Sequence, residues 1–113
     1  MHNFRDVPSM KRASLDAAFT SNDVEQICGA LVSMAYHEHD WQWAQEKCLS
    51  FLQDSDIRIS GLAATCLGHI ARIHHHLDKE KVMLSLREMA RVAPEISGRI
   101  EDALDDIEIF VRD

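Results

Sequence analysis

The sequence predicts an all-α fold, a right-handed α-solenoid of helical hairpins with about six helices. Three observations predict it. From Ser9 onward apolar residues recur at helical spacing, not at the alternation of strands. Four Gly and two Pro in 113 residues leave little punctuation for an all-β chain with many turns. A block of residues also recurs at an offset of 37, a period suited to helix pairs that bury their apolar faces on one another. The length suits a single domain, 1–113.

Each element has its own signal. A first helix is expected from about Lys11 to Thr20, with Leu15 and Phe19 four apart. A second, from about Asp23 to Tyr36, places Val24, Ile27, Leu31 and Met34 on one face, and Asn22 with Glu25 resembles a capping box at its start. Asp40 is a natural N-cap for a third helix, which runs to about Gln53 with Trp41, Ala44, Cys48, Leu49 and Leu52 inward. The fourth begins after Asp56 and carries Ile59, Leu62, Ala63, Cys66, Leu67, Ile70 and Ile73. The fifth begins near Asp78 and uses Val82, Leu86 and Met89. Pro94 stops it and suits the first turn of a last helix, from about Glu95 to Val111. Short connections make neighbouring helices antiparallel.

The repeat shows in Ile59-Ser60-Gly61, which returns as Ile96-Ser97-Gly98. In the same register Leu67 matches Leu104, Ile70 matches Ile107, Leu49 matches Leu86, and His37 and His39 match His74 and His76. The two units span about 40–76 and 77–113. The Val24–Met34 region matches weakly, as a degenerate leading repeat would.

Composition narrows the function. Apolar residues make up 46% of the chain, too many for a disordered protein, and no apolar run reaches the ~18–20 residues of a membrane span. The start, Met1-His2-Asn3-Phe4-Arg5-Asp6, lacks the apolar stretch of a signal peptide. Three Cys, at 28, 48 and 66, read as reduced thiols of a cytoplasmic protein. The net charge of −7 argues against direct nucleic-acid binding, which draws its affinity from basic groups on phosphate. It permits the opposite role, binding something basic. The acidity is also concentrated: residues 93–113 carry two basic and seven acidic side chains, net −5.

Within the last helix Glu101, Asp105 and Glu108 follow i, i+4, i+7, and Asp102 and Asp106 form a second i, i+4 pair. Like charges at that spacing repel by a few tenths of a kcal/mol per pair. Those near the C-terminal end also face the unfavourable pole of the helix dipole, at about 0.3–1 kcal/mol each. Either this is a solvated outer face that keeps the protein soluble, or the local cost marks a binding surface. The offset of 37 places Thr65, Gly68 and His69 in register with Asp102, Asp105 and Asp106. Stacked helices would therefore bring a weakly polar patch beside an acidic one, a surface suited to a basic partner.

Other candidates carry less. His37, His39, His74, His75 and His76, with Glu38 and Asp40 nearby, make a zinc or nickel site conceivable. Equivalent sites on adjacent layers are about 8–10 Å apart, too far to share an ion, so no metal and no cofactor are expected. Trp41 is in phase with the core. Trp43 is out of phase, and either stands exposed as an interface anchor or packs against the first helix. There is no phosphate-binding Gly-rich loop, no Gly-x-Ser-x-Gly and no His-Glu-x-x-His, and Cys66 falls at a core position; no catalytic residue is assigned and no enzyme is expected.

A resemblance adds to this reading. Asp56-Ile57-Arg58-Ile59, then Ala63-Ala64 and Leu67-Gly68-His69-Ile70, resembles the second helix of a HEAT repeat, with Ser60 where a basic residue is usual. Three stretches resemble small bacterial HEAT-like immunity proteins of toxin–immunity systems, including contact-dependent growth inhibition. They are Tyr36-His37-Glu38-His39-Asp40-Trp41-Gln42-Trp43, the run from Gly61 to His74, and Glu101-Asp102-Ala103-Leu104-Asp105-Asp106-Ile107. The resemblance covers roughly Asp23 to Ile109. It implies a cytoplasmic protein that neutralises a cognate toxin domain by occluding its active site or substrate groove. The acidic surface points to a basic nuclease toxin, a ribonuclease or deoxyribonuclease, gripped through Glu101, Asp102, Asp105, Asp106, His69, Thr65 and Trp43. The alternative is a HEAT-like scaffold or adaptor for an endogenous partner.

Overall fold

In the computed structural model, which describes residues 7–112, the chain is all helix and turn: α1 (Arg12–Phe19), α2 (Val24–His37), α3 (Trp41–Leu52), α4 (Ile57–His74), α5 (Lys79–Val92), a 3-10 turn over Pro94–Ile96, and α6 (Ser97–Phe110). Met1–Asp6, read above for signal-peptide character, lies outside the described residues, as does Asp113.

Local chemistry sets most of the boundaries. The Asp40 carboxylate accepts the Trp43 amide at 3.1 Å and starts α3; Asp56 accepts the Arg58 amide at 2.9 Å and starts α4. The Asn22–Glu25 capping box does not form. Asn22 adopts a left-handed φ of 59°, a conformation its short polar side chain tolerates, and Ser21 Oγ accepts the Asp23 amide at 3.1 Å instead. Asp78 precedes α5 but gives its side chain to a buried partner. Gln45, wholly enclosed on α3, donates to the Asp78 carboxylate at 2.8 Å and accepts the Asp78 amide at 2.7 Å, so it ties α3 to the entry of α5. Pro94 opens a 3-10 turn, with α6 proper beginning at Ser97.

The long α4 is the spine. It packs on α2 and α3 on one side and on α6 on the other, while α1 rests on α2 and α5 on α6. Ile59, Ala63, Ala64, Cys66, Leu67, Ile70 and Ala71 of α4 are all buried. From α6 come Ile100, Ala103 and Ile107, with Ile96 and Val111 at its ends, the face that holds it to the core; Leu104 is half-buried. The register partners Ile59 and Ile96, and Ile70 and Ile107, are all core residues.

Two glycines let α4 and α6 approach. Gly61 and Gly68 lie seven apart, on one face. A Cβ at Gly68 would stand 3.3 Å from Ala103 Cα and 3.0 Å from an Asp106 carboxylate oxygen; one at Gly61 would stand 3.2 Å from Ile96 Cγ2. The close approach sets Thr65 and His69 beside the acids of α6. Ile73, expected on the apolar face of α4, breaks the pattern: it is 43% exposed. It is the next-to-last residue of α4, past the last buried residues of that helix, Ile70 and Ala71.

Candidate functional site

The residues singled out by repeat register meet in one place. Thr65, His69, Asp102, Asp105 and Asp106 line a cleft of about 420 Å³ between α4 and α6, together with Ala103, Arg72 and Arg99. Helical periodicity explains the convergence. On α4, Thr65, His69 and Arg72 follow i, i+4, i+7; on α6, Arg99, Asp102 and Asp106 follow i, i+3, i+7. Two expected members fall elsewhere. Glu101 is exposed outside the cleft, and Trp43 lies on α3 in a different cluster.

Arg72 and Arg99 are the lining side chains that sequence reasoning passed over, and the signal was present. Arg72 stands three residues after His69 and Arg99 three before Asp102, so each shares a face with a residue already chosen. Arg99 passes close to Gly61, its Cδ 3.1 Å from where a Cβ would stand, and donates to Thr65 Oγ1 at 3.1 Å. The weakly polar patch expected beside the acidic one is thus a cleft that is also edged by two guanidinium groups. Among the described residues, no ion pair joins Asp102, Asp105 or Asp106 to either arginine. Asp102 and Asp105 are exposed, and Asp106 is half-buried.

His69 forms the floor at one end. Its ring meets Tyr36 at 4.9 Å, with Nε2 3.4 Å from the Tyr36 hydroxyl. Burial holds its pKa below the ordinary imidazole value, the Arg72 charge lowers it further, and Asp106 opposes both. The cleft therefore combines three aspartates and two arginines with an imidazole whose burial favours its neutral form. Such a set can receive a basic side chain and hydrogen-bond the groups that flank it.

Trp43 takes the second of its two readings. Its indole packs on Phe19 of α1 at 6.3 Å between centroids, and the Arg12 guanidinium covers it at 3.8 Å. Arg12 in turn pairs with Glu38 at 3.1 Å and approaches Asp40 at 3.9 Å. Trp41 is half-buried and stacks on His76 at 5.9 Å between centroids. His74 is half-buried, and burial lowers its pKa against the influence of Glu38, with the charges of His39 and His76 lowering it further. No group of three or more His, Cys, Asp or Glu among the described residues is placed to hold a metal ion. No helix among them is long and apolar enough to cross a membrane.

A larger groove, about 710 Å³, runs between the Val7–Met10 segment, α1 and α2. It is apolar, carries Glu25 as its one charged lining residue among those described, and holds none of the residues that the sequence singles out. The smaller charged cleft is therefore the candidate site.

Fold and cleft together define a small all-α protein of packed helices with a charged interhelical groove. Comparison places it within that class. No family model and no curated protein matches the chain. A solved structure does: a chain in the crystal structure of a CDI (contact-dependent growth inhibition) complex from Cupriavidus taiwanensis LMG 19424 superposes with a TM-score of 0.85 at 31% identity, over 97% of this chain and 96% of that one. The chain belongs to the family of that CDI protein. The resemblance of its sequence to the small immunity proteins of contact-dependent growth inhibition agrees with this match.

Proposed function

We propose that this protein is an immunity protein that binds a cognate toxin domain through the α4–α6 cleft and neutralises it by covering its active site or substrate groove. The observation that carries the reading is the cleft itself: Asp102, Asp105 and Asp106 converge there without an ion pair among the described residues. Carboxylates gathered in a concave site without an internal ion pair suit an external cation. Membership in a family with a component of a CDI complex supports a toxin as the source of that cation.

The partner would be a basic nuclease domain, because a nuclease needs Lys and Arg to grip phosphate. Its basic groove would meet the carboxylates, and opposite charge would speed encounter. The protein would act in the cytoplasm of the producing cell by occlusion, with no chemistry of its own.

Two measurements test this. Co-expression with the toxin domain encoded immediately upstream should restore growth; failure of rescue with a demonstrably active toxin would overturn the immunity reading. Charge reversal at Asp102→Lys, Asp105→Lys and Asp106→Lys should slow association at least tenfold at low salt. Unchanged binding would remove the acidic cleft from the mechanism while leaving immunity standing.

A further inference from the structure

The charged cleft does not end at His69 and Arg72. The same two residues also line an adjoining hollow with Tyr36, Ile73 and Phe110. Ile73, 43% exposed, and half-buried Phe110 form an apolar step there, from the ends of α4 and α6. The step is pre-set. His75 ends α4 in a left-handed conformation with φ of 58°, which turns its imidazole onto α6. Its Nδ1 lies 3.1 Å from the Phe110 carbonyl oxygen, and its ring stands 5.9 Å from the Phe110 ring. The Arg72 guanidinium flanks the same ring at 5.9 Å. An aromatic side chain held this way loses little freedom when a partner covers it.

Exposure alone does not single out this step, since Leu84 on α5 is 61% exposed. Continuity does. Leu84 lies in a separate hollow with Lys79, Glu80, Met83, Arg87 and Glu108, whereas Ile73 and Phe110 share His69 and Arg72 with the carboxylate cleft. An apolar centre next to charged groups is the anatomy of a protein interface in which a few anchors carry most of the affinity.

Resting on the immunity reading, we infer that the Ile73–Phe110 step is the apolar anchor of the toxin interface, receiving an aliphatic or aromatic toxin side chain beside the basic group that enters the cleft. The geometry also sets the partner's spacing. Asp106 and Phe110 are four residues apart on α6, as His69 and Ile73 are on α4, so the two subsites lie about one helical turn, ~6 Å, apart. A basic and an apolar residue at i, i+4 on a helix, or at i, i+2 on a strand, span that distance from one face of the toxin. The carboxylates then govern the rate of encounter, and the apolar step governs the lifetime of the complex.

Binding kinetics of the full chain with the purified toxin domain encoded immediately upstream test this. Ile73→Ser and Phe110→Ala should each raise the dissociation rate at least tenfold and change the association rate less than threefold. Asp105→Asn with Asp106→Asn should lower the association rate and flatten its salt dependence. Leu84→Ser should leave both rates unchanged. Ile73 is exposed, so its variant should keep the wild-type melting profile and guard against misreading a folding defect at Phe110. Wild-type binding with dissociation rates within twofold for both step variants overturns the anchor, as does an equal effect at Leu84. Absence of wild-type binding overturns the immunity reading itself, and the anchor with it.

Discussion

Two corners of the molecule concentrate charge and aromatic side chains, and they handle them in opposite ways. At the α1–α3 corner Arg12 covers Trp43, pairs with Glu38 and approaches Asp40, while Lys47 sits 5.5 Å from the Trp43 ring. The Glu38 carboxyl shows the effect: burial would raise its pKa, but the Asp40 amide and the Arg12 guanidinium together hold it below its ordinary value. Every charged group of that cluster has a partner inside the protein. At the α4–α6 cleft three carboxylates stand next to two guanidiniums without an ion pair among the described residues. Both regions look like interface material in the sequence. Internal pairing makes the first a structural clamp, and its absence leaves the second open to a partner.

The sharpest way to break the comparison is to remove what positions the cleft. Ile107 is wholly enclosed between α6 and α4, and Ile107→Ala should cost about 2–5 kcal/mol of unfolding free energy in a urea titration, through lost transfer energy and the cavity left behind. Toxin binding should weaken with it, because α6 is no longer held against Gly61 and Gly68. Trp43→Ala should cost less, about 1–3 kcal/mol, since the indole is only half-buried. Its toxin affinity should stay at the wild-type value, and a tenfold loss of affinity would return Trp43 to the binding surface.

A pH series separates the two corners further. The His69 pKa is lowered in the folded protein, chiefly by burial and then by Arg72, so the unfolded chain binds the proton more readily. Its stabilising share is complete above its ordinary value of about 6.5 and is lost as pH falls through the lower, folded value. Melting temperature should therefore drop as pH falls below about 6.5, and His69→Gln should lessen the slope. His74, lowered in the same direction, should keep part of it. The smallest effect on stability should come from Asp102→Asn, Asp105→Asn and Asp106→Asn together. Removing like charges from one helix, two of them in its C-terminal half, should raise the unfolding free energy by a few tenths of a kcal/mol. A triple variant that unfolds more easily would mean that these acids support the fold.

Much of the site was legible because helices repeat. The offset of 37 placed Thr65 and His69 against Asp102 and Asp106, and the structure sets all four in one cleft. What escaped was orientation at the margins. Glu101 belongs to the acidic run but points away from the cleft, and Arg72 and Arg99 belong to it through an i, i+3 relation weighed only for the acids. Trp43 shows why phase alone cannot decide exposure. It falls off the core stripe of α3, yet α1 supplies a second surface for it to pack on.

By itself the sequence determined the six helices, most of their ends and the residues that face inward, because these depend on period, capping and helix-terminating Pro over a few neighbouring residues. It did not determine the left-handed Asn22, whose Ser21 partner replaced the expected cap. Tertiary structure decided how closely α4 and α6 approach, which turned a stretch of acidic helix into one wall of a cleft. It also decided that Arg12 satisfies one cluster while no cation pairs with the other among the described residues. Pairing of charges depends on distances between elements remote in the chain, and those distances exist only once the helices have packed.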